Sequence, residues 1–145
     1  MSALAVFEVF LVEPGSGSGA VRISPVAVPA GFPSPAQDYY DGPVDLSAHL
    51  IGDQHSTFLV RVSGDSMVGA GISDGDELIV DRSRTPRDHS VVVAILDGEM
   101  TVKRLRIESG GVVLQADNRD YPDIRVQELS ELEIWGVVTK CIHTV

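Results

Sequence analysis

From Thr57 to Ile142 the chain is a succession of short β-branched runs, each closed by a turn rich in glycine, aspartate or serine. Thr57–Val62, Glu77–Asp81, Ser90–Leu96, Thr101–Ile107, Val112–Ala116 and Leu132–Ile142 have the length and residue types of strands. Ser73-Asp74-Gly75-Asp76, Asp97-Gly98 and Ser109-Gly110-Gly111 punctuate them. Asp97-Gly98 is a two-residue hairpin signal, because both residues tolerate the positive φ that such a turn requires. The pattern predicts a mainly β fold with one or two short helices. One helical turn is expected over Leu46–Leu50, capped by Asp45. No internal repeat is visible. At 145 residues the chain suffices for one domain whose core needs no covalent staples.

Residues 1–30 read differently, as an extended arm. Leu4–Val12 is apolar enough for one strand, and Pro14 to Gly19 forms a flexible Gly/Ser link. Val21–Val28 is broken by Pro25, which suits an edge strand or a docked peptide rather than a central strand. Pro29, Pro33 and Pro35 keep the chain extended around Ala30-Gly31. Ala3–Val12 has no basic leader and is too short to span a bilayer, so neither a signal peptide nor a membrane anchor is expected. The formal net charge of −10 disfavours direct DNA binding, since such a surface repels phosphate. It suits a basic protein partner, and solubility alone explains it as well. The single cysteine, Cys141, excludes an internal disulfide and points to a reducing, cytoplasmic setting. Set in a Val- and Ile-containing segment, Cys141 reads as a small, buried apolar residue.

The hairpin contains a conflict. If Thr101–Ile107 is a strand, Lys103 shares a face with Leu105 and Ile107, the more apolar one. A lysine aimed at a core is costly unless it is paired or neutral, and the ordinary alternative is a side chain that snorkels at the sheet edge. Ser66 lies upstream in Ser63-Gly64-Asp65-Ser66-Met67, a glycine turn after an apolar run, which on local grounds alone is a plain polar turn. A serine is a weak nucleophile until a base takes its proton. His49, His55, His89 and His143 are candidates for a Ser-His-Asp triad, but none has a telling context and no Gly-x-Ser-x-Gly elbow occurs. No His-x-x-x-His or Cys-x-x-Cys pattern suggests a metal, and no cofactor is expected. A Ser66–Lys103 dyad remains. Its lysine must be neutral, whereas free lysine has a pKa of about 10.4 and is neutral in only about one molecule in a thousand near pH 7.4. Desolvation on an apolar sheet face lowers that pKa. The backbone N–H groups of Asp65 and Ser66 are candidates for an oxyanion hole.

The segments Gly31 to Tyr39, Ser63 to Met67, Gly71 to Asp76 and Asp97 to Lys103, in this order and spacing, resemble the LexA/UmuD-type self-cleaving serine peptidase family, specifically its SOS-mutagenesis branch. The similarity runs from about residue 29 to the C-terminus. It implies a fold like LexA C-terminal domains, of β-clip-like sheets with an extended N-terminal arm. It implies a division into residues 1–30, an arm removed by self-cleavage, and residues 31–145, the peptidase-like β domain. It further implies Ser66 as nucleophile, Lys103 as general base and Ala30-Gly31 as the bond cut. Ala precedes the bond, as is common among LexA-type repressors; glycine after it lets the backbone bend close to a nucleophile. The implied partners are a second copy of the chain, the RecA–single-stranded-DNA filament as activator, and a Y-family DNA polymerase of the UmuC type for translesion synthesis. Only 30 residues precede Gly31, with Arg22 their one basic residue, too little for the helix-turn-helix domain of a repressor. The alternatives are a non-catalytic interaction module, the isolated C-terminal domain of a LexA-type repressor, and a signal peptidase, which also uses Ser and Lys but carries a membrane anchor.

Overall fold

The β-branched runs pair into one antiparallel sheet. The computed structural model describes residues 6–11, 20–23, 27–28, 30–33, 35 and 41–145. Two compact units emerge, one made of Met1–Glu13 with Asp53–Val145, the other of Pro14–Gly52.

In the first unit the strands are β1 (Val6–Leu11), β4 (Thr57–Val62), β5 (Glu77–Asp81), β6 (Val91–Leu96), β7 (Glu99–Glu108), β8 (Gly111–Gln115), β9 (Ile124–Arg125) and β10 (Leu132–Ile142). They form one sheet in the order β1-β4-β5-β10-β6-β7-β8-β9. The long last strand β10 returns to the middle and joins β5 to β6. The β6–β7 hairpin turns where the sequence predicts: Leu96 pairs with Glu99, and Asp97 and Gly98 both have positive φ, 48° and 83°. β9 is too short for a sequence signal. The second unit holds the two-stranded pair β2 (Ala20–Ile23) and β3 (Asp41–Asp45), followed by α1 (Leu46–Leu50). The Asp45 carboxylate caps α1, accepting from the amides of Ser47 and Ala48. The Gly/Ser link and Pro25 lie outside the described residues.

Two apolar clusters hold the first unit together. Val60, Val62, Met67, Ile72, Leu78, Val80, Val93 and Val102 form one; Val92, Ala94, Leu105, Leu114 and Val137 form the other. Neighbouring residues of β6, Val92 and Val93, fall in different clusters, so this strand is covered on both faces. Its run of valines is therefore continuous rather than alternating. The exposed carboxylates that give the chain its charge lie mainly in turns and at strand ends. Among the described residues no helix is long and apolar enough to cross a membrane.

Cys141 departs from expectation. It is exposed near the end of β10, and its thiol donates to the Asp76 carboxylate at 3.2 Å. The β-branched neighbours suggested a core strand, but the end of β10 runs out to the surface, where Ile142 is also exposed. Burial of the sulfur atom and the adjacent carboxylate push the thiol pKa up to about 12, which leaves it unreactive near neutrality.

Candidate active site

The site is built where the loop after β4 meets β7. β4 ends at Val62, and the chain turns at Gly64, whose φ of 99° requires a residue without a Cβ penalty. The turn is tied to the Ser73–Asp76 loop: Gly64 N–H donates to the Asp74 carboxylate at 2.8 Å, and Gly75 N–H to the Val62 carbonyl at 2.8 Å. Asp65 and Ser66 follow, then a short 3-10 turn over Val68–Ala70 that ends at Gly71. Met67 is buried in the first cluster and anchors the loop from below. Ser66 itself is 3% exposed.

Lys103 occupies the middle of β7, opposite Val92, and is 2% exposed. The face predicted for it is buried over Thr101, Lys103 and Leu105; Ile107, further along, emerges into solvent. The lysine does not snorkel. Its Nζ lies 3.2 Å from Ser66 Oγ, 2.8 Å from Thr101 Oγ1 and 3.2 Å from the Val102 carbonyl oxygen. No carboxylate is among these partners. Burial holds the Lys103 pKa below that of a free lysine. A neutral amine has two N–H donors and one lone pair, and three partners satisfy it: Thr101 and Val102 accept, and the lone pair faces the Ser66 hydroxyl. That arrangement can take a proton from serine.

The four histidines lie elsewhere. His49 is exposed in α1, and His55 is exposed in the turn before β4. His89 has a positive φ of 72° and sits beside Asp88; His143 Nδ1 lies 2.6 Å from the Asp76 carboxylate. None is a partner of Ser66 among the described residues. The amides of Asp65 and Ser66 donate to no other described residue. Ala30 and Gly31 lie in the second unit, and both are exposed, as is Phe32 beside them.

Sequence reasoning missed the surroundings of the pair. Thr101 is two residues before Lys103 on the same strand, and strand periodicity alone places it on the same face. Asp117, Asn118 and Tyr121 follow β8 and reach the serine loop. Gly69 N–H donates to the Asp117 carbonyl at 2.7 Å, Asn118 Nδ2 to the Asp65 carbonyl at 2.9 Å, and Tyr121 OH to the Asp65 carboxylate at 2.5 Å. Arg104, next to Lys103, donates to Asp117 Oδ2 through Nε at 2.9 Å and Nη2 at 2.6 Å.

Residues 23–139 match the Peptidase S24-like family. The chain belongs to this family of serine peptidases. It is 44% identical over 115 residues to protein SamA of Salmonella typhimurium, covering 79% of each chain. It is 41% identical over 128 residues to protein MucA of Escherichia coli, covering 84% of this chain and 87% of that one. A LexA repressor of Verrucomicrobium spinosum is 38% identical over 113 residues, 77% of this chain and 54% of the repressor. A mainly β sheet with almost no helix is the architecture expected of a LexA-type C-terminal domain.

Proposed function

We propose that the chain is a self-cleaving serine peptidase of the SOS response, in which Ser66 is the nucleophile, Lys103 the general base and Ala30-Gly31 the substrate bond. One observation carries the reading: the 3.2 Å contact between Ser66 Oγ and the Nζ of a buried lysine that has no carboxylate partner among the described residues. Neutral Lys103 takes the Ser66 proton as Oγ attacks the Ala30 carbonyl carbon. The amides of Asp65 and Ser66 hold the oxyanion of the tetrahedral intermediate. The ammonium of Lys103 then returns its proton to the Gly31 nitrogen, which leaves. Water, activated by the same amine, hydrolyses the ester and frees Ser66.

The chain divides accordingly into an arm, residues 1–30, and a processed subunit, residues 31–145. A RecA–single-stranded-DNA filament stimulates the cut by favouring the conformation in which Ala30 reaches Ser66, a population shift rather than new chemistry. The processed chain is a homodimer that joins a Y-family polymerase of the UmuC type in the cytoplasm. With the full chain at a formal net charge of −10, and only Glu8, Glu13 and Arg22 charged in the arm, the processed chain stays strongly acidic and contributes no direct grip on DNA. The test is to incubate the purified protein and weigh the products. A fragment beginning Gly31-Phe32-Pro33 and ending at Val145 is expected. A different new N-terminus would remove Ala30 and Gly31 from the site, and an uncut chain at every pH would leave a non-catalytic interaction module.

A further inference from the structure

We infer that Asn118 and Tyr121 are positioning residues that aim the oxyanion-binding amides of the serine loop; this rests on the proposed function above. The Asp65 carbonyl and the Ser66 N–H belong to one planar peptide group and point in opposite directions. Whatever grips that carbonyl therefore sets where the Ser66 N–H points. Asn118 Nδ2 grips it, at 2.9 Å. The Asn118 side chain is itself fixed, because its Oδ1 accepts the Asp120 amide at 2.9 Å, which leaves Nδ2 facing Asp65. Tyr121 closes the same loop by donating its hydroxyl to the Asp65 carboxylate at 2.5 Å. One residue thus has its carbonyl and its side chain held by two neighbours on a single turn.

That turn is tied in turn to the strand that carries the base. The Asp117 carboxylate is held by Arg104, the residue after Lys103, and the Asp117 carbonyl accepts the Gly69 amide just beyond Ser66. Residues 117–121 therefore bridge the serine loop to β7 and hold it at a fixed distance from the lysine. Exposed loops lack such a register by default, and amides must point at the developing charge before it forms. The bridge supplies that order in a segment that is otherwise turn and 3-10 backbone.

The phenol also gives the arrangement a titratable signature. The groups facing it are the carboxylates of Asp65 and Asp120, both negative. The Asp65 hydrogen bond, burial and these charges hold the Tyr121 pKa above that of an ordinary tyrosine. Ionisation would remove the donor and set a phenolate against two carboxylates. The self-cleavage rate should accordingly rise with pH as Lys103 loses its proton, level off, and fall again as Tyr121 ionises.

The experiment compares wild type, Tyr121→Phe and Asn118→Ala across about pH 6 to about pH 11. It follows self-cleavage and, separately, phosphorylation of Ser66 by diisopropyl fluorophosphate read by intact mass. In the latter Oγ displaces fluoride from phosphorus, and the phosphoryl oxygen occupies the oxyanion position. Tyr121→Phe should lower the plateau of both reactions about threefold to tenfold and abolish the alkaline fall. Asn118→Ala should lower both plateaus about tenfold to a hundredfold. The acid limb, set by Lys103, should stay where it is in both variants. Plateaus within about twofold of wild type, an alkaline fall that survives in Tyr121→Phe, or a displaced acid limb would each overturn the inference. If the wild type labels at Ser66 but does not cut itself, the cleavage reading fails while the labelling rates still decide on Asn118 and Tyr121. A wild type that neither cuts nor labels overturns both.

Discussion

Lys103 is the residue on which everything else turns, and its chemistry is a matter of charge. Its pKa is held below the ordinary lysine value by burial, so the neutral, proton-accepting form prevails at a lower pH than for a free amine. Self-cleavage should rise about tenfold per pH unit below that pKa and then level off. Lys103→Arg should be inactive throughout, because a guanidinium does not give up its proton in this range; first-order rates of product appearance against pH check both points. Thr101 refines the picture. Its hydroxyl accepts from Nζ at 2.8 Å and stabilises the ammonium more than the amine. Thr101→Val should move the rising limb to lower pH, and a limb that stays in place or moves up would contradict this role. Lys103 was conspicuous in the chain, because a lysine on an apolar strand face demands an explanation, whereas Ser66 read locally as a plain polar turn and was joined to it by the family resemblance. Thr101 was legible in principle from strand spacing. Asn118 and Tyr121 were not: they meet Asp65 across 53 and 56 residues of chain, and nothing local in a polar turn announces such a contact. Cys141 misled for the opposite reason, since its neighbours look like core while the strand end they occupy is exposed.

The elements of the site are loops made rigid by their contacts, and two substitutions test that rigidity. A Cβ at Gly69 would stand 2.5 Å from the Asp117 carbonyl oxygen, a backbone atom that cannot swing aside. Gly69→Ala should therefore force the 3-10 turn away from residues 117–121. The expected cost is about 1–3 kcal/mol of stability by urea titration, together with slower self-cleavage. An unchanged midpoint would show that the turn yields freely. Asp76 fixes the neighbouring loop to the C-terminal strand. It is 4% exposed and accepts from the Ser73 amide, Cys141 and His143. Burial alone would raise its pKa, but the Ser73, His143 and Cys141 hydrogen bonds outweigh it and hold the carboxyl below its ordinary value of 3.8. A folded-state pKa below the unfolded one means that Asp76 stabilises the fold above pH 3.8 and loses that contribution as pH falls through the folded value. Asp76→Asn should lower the thermal midpoint near neutral pH and narrow the gap from wild type in acid. A gap that widens on acidification would reverse the sign of this argument. The strands of the main sheet were readable because β-branching and turn residues recur along the chain. β3, which contains Pro43, and the two-residue β9 carry no such signal, because each exists only by pairing with a neighbour.

At the scale of the whole molecule the proposed cut and the release of the arm would be separate events. The arm's first strand, β1, runs along β4 with Val9 opposite Val60 and Leu11 opposite Phe58. Its second, β2, lies along β3 with Val21 opposite Val44. Both partners follow the Ala30-Gly31 bond in sequence, so hydrolysis there would sever the covalent link and leave each ladder in place. Native mass spectrometry of freshly cut protein should find residues 1–30 still bound to residues 31–145, and mild denaturant should separate them. Immediate loss of the fragment would show that the ladders contribute little. Once β1 does leave, β4 becomes the border of the sheet, with a row of amides and carbonyls that nothing satisfies. On the proposed function the arm would then be a placeholder for a visiting strand, and proteolysis would set free a seat for a partner that adds its own backbone to the sheet.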